Sequence, residues 1–224
     1  MSGAALAALD ATWPAAAVTR LGPWAIRAGQ GGGKRVSAAT AEGPWQPHDL
    51  PQAEAAMRAL GQDALFMIRP DDTALDGALA QQGYALIDPV VAYAAPVAQL
   101  AETPPERMTS FPHWPPMAIV EQLWGEGGIG PARVAVMQRA AGPKCAILGR
   151  SGDRASGAAF VAMAGQVAML HALEVTPALR RQGSAHNILR AAAGWARDQG
   201  ADTLILVVTA VNEPARRLYA SLGM

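Results

Sequence analysis

Leu173-Glu174-Val175-Thr176-Pro177-Ala178-Leu179-Arg180-Arg181-Gln182-Gly183-Ser184-Ala185 is the most informative stretch of this 224-residue chain. A strand-like apolar run ends at Val175, and Pro177 cannot continue its ladder. A short loop follows. From Ser184 to Gln199 the apolar residues Ala185, Ile188, Leu189, Ala192, Trp195 and Ala196 recur at helical spacing. The stretch therefore predicts a strand–loop–helix junction. Such a junction gathers unpaired backbone N–H groups and the positive end of a helix dipole at one point. That is the arrangement that cradles a pyrophosphate. Gly183 lets an anion approach the backbone with no side chain in the way. Ser184 and Ala185 are small, and Arg180 and Arg181 add planar cationic donors.

The neighbouring elements follow from the same reasoning. Gly200 ends the helix as a C-cap. Thr203 to Val208, TLILVV, reads as a strand buried on both faces. Asn212 to Leu222 is a helix with Asn212 as N-cap and Pro214 in its first turn. Upstream, Met117–Trp124 and Ala132–Arg139 are short helices separated by the glycine-rich GEGGIG. Cys145–Arg150, Ala155–Ala164 and Gln166–Val175 are strands joined by turn residues, so an antiparallel meander is expected. Between Leu100 and Pro116, five prolines in seventeen residues oppose both helix and central strand. Residues 101–116 therefore read as a linker between an N-terminal half, 1–100, and a C-terminal domain, 117–224.

The N-terminal half echoes the other. When Leu65-Phe66-Met67-Ile68 is laid on Ile205-Leu206-Val207-Val208, Asp72 falls on Asn212, Leu75 on Ala215 and Gly83 on Gly223. Both segments read as strand, turn, helix, glycine, which suggests two related units. The same alignment sets Thr40-Ala41-Glu42-Gly43-Pro44-Trp45 against the Arg180–Ala185 loop. Glu42 repels phosphate, Pro44 lacks a donor and Trp45 fills the space, so no cofactor is expected in the N-terminal half.

Val175, Pro177, Arg180, Gly183 and Ala185 resemble the acetyl-CoA pyrophosphate loop of the GNAT superfamily of N-acetyltransferases, whose core is Q/R-x-x-G-x-G/A. Asn212, Ala215, Leu218, Tyr219, Gly223 and Met224 resemble its N-x-x-A-x-x-L-Y-x-x-x-G-F segment. The resemblance covers about residues 110 to 224. It implies an α/β fold with a mixed, centrally splayed β-sheet flanked by helices, here in two pseudo-repeated halves. It also implies transfer of an acetyl group from acetyl-CoA directly to an amine. Leu173, Val175, Arg180, Arg181, Gln182, Gly183, Ser184, Ala185 and Asn212 would hold the cosubstrate. Tyr219 would be the general acid near the sulfur, or alternatively an aromatic packing the last helix onto the sheet.

Glu174, ending its strand beside the expected splay, is the candidate base, acting directly or through water. The plainer reading makes it half of an ion pair with Arg180 or Arg181. Regular alternation would turn His171 to the opposite face of the sheet. Family members carry one more strand after the final glycine and aromatic. In the N-terminal half it would be Tyr84–Tyr93, whereas here the second half stops at Met224. An uncovered sheet edge would be an aggregation risk.

Composition sets the remaining bounds. Eighteen basic residues balance eighteen acidic ones, which gives no electrostatic reason to expect nucleic acid or a membrane surface as partner. The single Cys145 rules out an internal disulfide and fits a reducing compartment, so a cytoplasmic location is expected. No metal site is expected, and a homodimer is left open. Gly31-Gly32-Gly33-Lys34-Arg35 imitates a nucleotide loop, but Arg35 stands where the P-loop needs Ser or Thr. A flexible hairpin turn is the better reading. The rival functions are a CoA-binding module without catalysis and, further off, a nucleotide binder using Lys34.

Overall fold

The computed structural model describes residues 3–224. The N-terminal half comprises helix α1 (Gly3–Thr12), strands β1 (Ala17–Leu21), β2 (Trp24–Ala28) and β3 (Thr40–Ala41), and helices α2 (Leu50–Ala59) and α3 (Thr73–Gln81). Then come β4 (Val90–Pro96), the single-turn α4 (Val97–Leu100) and β5 (Ser110–His113). The C-terminal half runs α5 (Ala118–Glu126), α6 (Pro131–Arg139), β6 (Lys144–Ser151), β7 (Arg154–Ala164), β8 (Val167–Val175), α7 (Ser184–Asp198), β9 (Thr203–Thr209) and α8 (Glu213–Ser221).

Six strands form the main sheet in the order β4-β9-β8-β7-β6-β5. The meander β6-β7-β8 is antiparallel, as expected from its turns, and β9 joins β8 in parallel after the α7 crossover. Apolar residues alternate along the strands. Cys145, Ile147, Ala159, Val161 and Leu170 face α7, against Ile188, Leu189 and Ala192. Ala146, Ala158, Phe160 and Ala162 face α5 and α6, against Val120, Trp124 and Met137. Burying each of the larger side chains among these, such as Ile147, Val161, Leu170 and Phe160, is worth about 1.5–3 kcal/mol, so the central strands are anchored from both sides.

The strand expected at Tyr84–Tyr93 begins only at Val90, and it does not complete the N-terminal half. As β4 it lies antiparallel along β9, from Val90 opposite Thr209 to Pro96 opposite Thr203. The β9 edge is therefore paired, by a strand drawn from the other half. The proline-rich stretch is also more than a linker. Its Ser110–His113 pairs with β6 as the outermost strand, where Pro112 needs to complete only one ladder.

A separate three-stranded sheet, β1-β2-β3, carries the N-terminal core of Trp24, Ile26, Leu50, Met57 and Leu75. The run at Leu65–Ile68 makes only a bridge, with Phe66 parallel to Ala39. That bridge repeats in miniature the parallel β8–β9 relation. One feature of the repeat alignment shifts: α2 starts at Leu50, seven residues beyond Gly43, so Gly43 does not cap a helix as Gly183 does. A 3-10 turn, Pro47–Asp49, leads into α2 instead, and in that turn Asp49 accepts from the Gln46 N–H at 2.8 Å. The halves meet where α1 lays Ala5, Ala8 and Leu9 on Met169 and Ile205 of the main sheet.

Candidate functional site

A bulge in β8 organises the site. Phe160 of β7 lies opposite His171, whereas Ala158 lies opposite Glu174, so two residues of β8 answer one of β7. The extra residue is accommodated at Ala172, whose φ of 51° is left-handed. Opposed residues share a face, and Ala158 and Phe160 both face α5. His171 and Glu174 therefore point to the same side, contrary to the alternation expected from their spacing. Leu173 turns to the α7 side.

The bulge also ends the pairing of β8 with β9. Their ladder stops at Leu170 opposite Leu206. Beyond that point β8 continues to Val175 and β9 to Thr209, the latter paired only with β4. A gap opens between the two strands, with Leu173 and Val175 on one side and Val207 to Thr209 on the other.

The loop after β8 leads to the start of α7. Gly183 adopts φ 84° as the N-cap residue, and a Cβ there would meet nothing within 4 Å. Among the described residues, no protein acceptor takes the N–H groups from Arg181 to His186; the first intrahelical bond outside the helix proper is Asn187 N–H to Gly183 O at 3.0 Å. The Ser184 hydroxyl is buried and likewise without a partner. Arg181, itself left-handed at φ 64°, and Gln182 are exposed, and Gln182 Oε1 accepts from Ser151 Oγ at 2.9 Å. Arg180 turns away from this cradle. Its Nε donates to Val175 O at 3.0 Å and its Nη2 to Glu174 Oε1 at 3.1 Å.

Glu174 is thus the ion-paired carboxylate that its neighbourhood in the sequence allowed, yet it also lines a cleft of about 210 Å³ with Leu123, Glu126, Gly127, Thr176, Pro177 and Arg180. Gly127 passes so close that a Cβ would come within 2.5 Å of Glu174 Cγ. Trp124 fixes the bulge from above by donating its indole N–H to Ala172 O at 2.9 Å. The sequence marked GEGGIG only as a break between helices, and nothing local showed that it would lie over Glu174.

His171 is buried and satisfied. Thr12 Oγ1 donates to Ala8 O at 2.7 Å, so at 2.9 Å it accepts from His171 Nε2–H. Nδ1 then faces the guanidinium of Arg35 at 3.5 Å. Burial, and secondarily Arg35, hold the imidazole neutral well below its ordinary range. It is a poor candidate base.

Tyr219 packs on the other side of the gap. Its ring lies 5.4 Å from that of Tyr93, which stands opposite Leu206, the last β9 residue paired with β8. Burial, with a smaller contribution from Tyr93, pushes the Tyr219 phenol up to about 12. The group is a proton carrier at any ordinary pH. The sequence placed Tyr93 only at the end of a strand of the other half, and nothing local showed that it would meet Tyr219. Asn212 caps α8, its Oδ1 accepting from Ala215 N at 3.2 Å.

A sequence model described as the acetyltransferase (GNAT) family matches residues 117–224. No curated protein sequence matches the chain. Among solved structures, a conserved protein of unknown function from Staphylococcus epidermidis superposes with a TM-score of 0.67 at 12% identity, over 94% of this chain and 90% of its own. A GCN5-related N-acetyltransferase from Kribbella flavida gives 0.66 at 19% identity, over 96% and 87%. Another from Sphaerobacter thermophilus gives 0.58 at 14%, over 84% and 68%. At these identities the likeness concerns the fold, and it extends over both halves. Bulge, gap and helix junction all lie within residues 117–224, the segment that the acetyltransferase (GNAT) family model matches.

Proposed function

We propose that the chain is an N-acetyltransferase that takes its acetyl group from acetyl-CoA and passes it directly to an amine. The observation that carries this reading is the run of unaccepted N–H groups from Arg181 to His186 beside the gap. A diphosphate satisfies such donors, and the unpartnered Ser184 hydroxyl adds one more. The open space at Gly183 leaves room for phosphate oxygens. Leu173 and Val175 offer the wall along which a pantetheine arm runs, and Asn212 retains its amide N–H₂ for the same arm.

The bound thioester supplies an activated acetyl group. The chain's residues supply the rest. Glu174, on the α5 side, takes the proton of the ammonium acceptor, directly or through a water in its cleft. Tyr219, on the α7 side, holds a proton for the leaving thiolate. Acid and base thus flank the gap from opposite faces, which keeps one from neutralising the other. The residues of the site sit on strands and helices fixed by two cores, so the orientation they impose costs little at the moment of reaction.

Thermal shift with acetyl-CoA tests the binding half of this reading. At 100 times its dissociation constant a ligand adds about 2.7 kcal/mol of stability. ATP with magnesium, the comparison for a nucleotide binder, is expected to give no shift. Release of free CoA thiol with an amine panel then separates an enzyme from a CoA-binding module; no amine-dependent release would leave only the module.

A further inference from the structure

The stretch Gly31–Arg35 takes a place in the fold that a flexible turn would not. Gly32 is pressed against α6, where a Cβ would come within 2.5 Å of a Val136 methyl. From that anchor the next two cations diverge. Lys34 Nζ reaches Asp88 Oδ2 at 2.5 Å. Asp88 adjoins Pro89, whose carbonyl accepts from Ala210 N at 2.7 Å, just past the end of β9. Arg35 Nη1 reaches His171 Nδ1 on β8, one residue past the last β8–β9 pair. The two contacts stand on opposite banks of the gap, so this loop bridges its mouth. It does so on the face that carries Glu174.

The charges gathered there are unbalanced. The Arg133 side chain borders the same loop, its Nε 3.4 Å from where a Cβ of Gly33 would stand. Among the described residues neither Arg35 nor Arg133 is in an ion pair. Lys34 is matched by Asp88. Asp10, the carboxylate that acts on Arg35, is held by Arg27 at 3.1 Å. His171 is neutral and offers only a lone pair. Burial and Arg133 together lower Arg35 to about 10, which still leaves it charged at neutral pH. Like charges crowded in a partly desolvated place are destabilising unless an anion joins them, and the planar guanidinium fork matches a carboxylate.

Building on the reading of the site as an acetyltransferase, we infer that its acceptor is an amine that also carries a carboxylate, held by Arg35 and Arg133 at the mouth of the gap while the amine reaches Glu174. The N-terminal half, through Arg35, then supplies part of the wall that selects the acceptor, and α6 supplies Arg133.

Calorimetry on the CoA-saturated protein, with the proteinogenic amino acids and their α-amides as paired probes, tests this directly. At least one amino acid is expected to bind about 10- to 100-fold more tightly than its amide, the range of a charge-assisted hydrogen bond. Arg35→Met and Arg133→Met are each expected to erase that preference and to leave CoA binding unchanged. Arg133 is exposed, so its variant keeps the test valid if the Arg35 variant does not fold. Equal binding of acid and amide, binding of neither, or a preference that survives both variants would overturn the inference. Failure of the acetyltransferase reading shows separately, as absent CoA binding or absent thiol release.

Discussion

Tyr93 and Tyr219 face each other with ring centroids 5.4 Å apart, one on the strand lent by the N-terminal half and the other on the last helix. Arg216 of that helix donates to the Tyr93 hydroxyl at 3.4 Å, so the contact is held from two sides. The candidate acid is therefore positioned by both halves. Tyr219→Phe is expected to lower kcat roughly 10²–10⁴-fold if the phenol transfers a proton, with little change in acetyl-CoA affinity. A near wild-type rate in stopped-flow thiol release would reduce Tyr219 to a packing residue.

The same burial has a consequence for stability. The Tyr219 phenol is raised from 10 to about 12 and the Cys145 thiol from 9 to about 12, both chiefly by desolvation. The folded chain holds these protons where the unfolded chain has released them. The contribution of these two groups to stability therefore falls as pH rises, from about 9 for the thiol and about 10 for the phenol up to about 12, while Arg35, lowered to about 10, works the other way above that pH. Urea unfolding at a series of pH values should show this loss, and Cys145→Ala should postpone its onset. A flat profile from about pH 9 to 10, where the thiol acts before Arg35 does, would contradict it.

Gly127 touches Glu174 closely enough that a methyl group cannot fit without moving the carboxylate. Gly127→Ala should displace Glu174 and lower kcat, as Glu174→Gln should by roughly 10²–10⁴-fold if the carboxylate is the base. Both should bind acetyl-CoA normally. Arg180→Met, which breaks a partly exposed ion pair, should cost no more than about 1 kcal/mol of stability by chemical denaturation.

Gly183 stands in the left-handed region with open space around it, so alanine there meets backbone strain rather than a clash. Gly183→Ala should cost about 1–2 kcal/mol of stability. It should also weaken acetyl-CoA, because the added methyl group occupies the approach to the free N–H groups. Unchanged affinity by calorimetry would place the diphosphate elsewhere.

Strand β9 carries the apolar run Thr203–Thr209 and depends on β4 to cover its edge. Residues 101–224 expressed without β4 should aggregate, whereas the whole chain should not. A soluble, monomeric fragment by sedimentation would show that the edge is protected in some other way.

The local elements of the C-terminal half were legible because each is written in contiguous residues: alternation in β6 to β8, helical spacing from Ser184, a capping Asn212. The Gly183 junction was legible for the same reason, since a strand end, a glycine and a helix start are neighbours in the chain. Regular alternation misplaced His171, because a bulge at Ala172 is a response to pairing with β7 and leaves no mark in composition. The strand expected near Tyr84 was misassigned for a related reason: β4 pairs according to which edge is open in three dimensions.

Pattern and spacing along the chain were thus enough to show the resemblance of residues 117–224 to acetyltransferases and the strand–loop–helix junction at Gly183, both short-range matters. Only the tertiary structure decided that Glu174 and His171 share a face, that Tyr93 meets Tyr219, and that Arg35 stands at the mouth of the gap. Those are contacts between distant segments, and the free energy that selects them comes from burying whole surfaces together, which no local run of residues records.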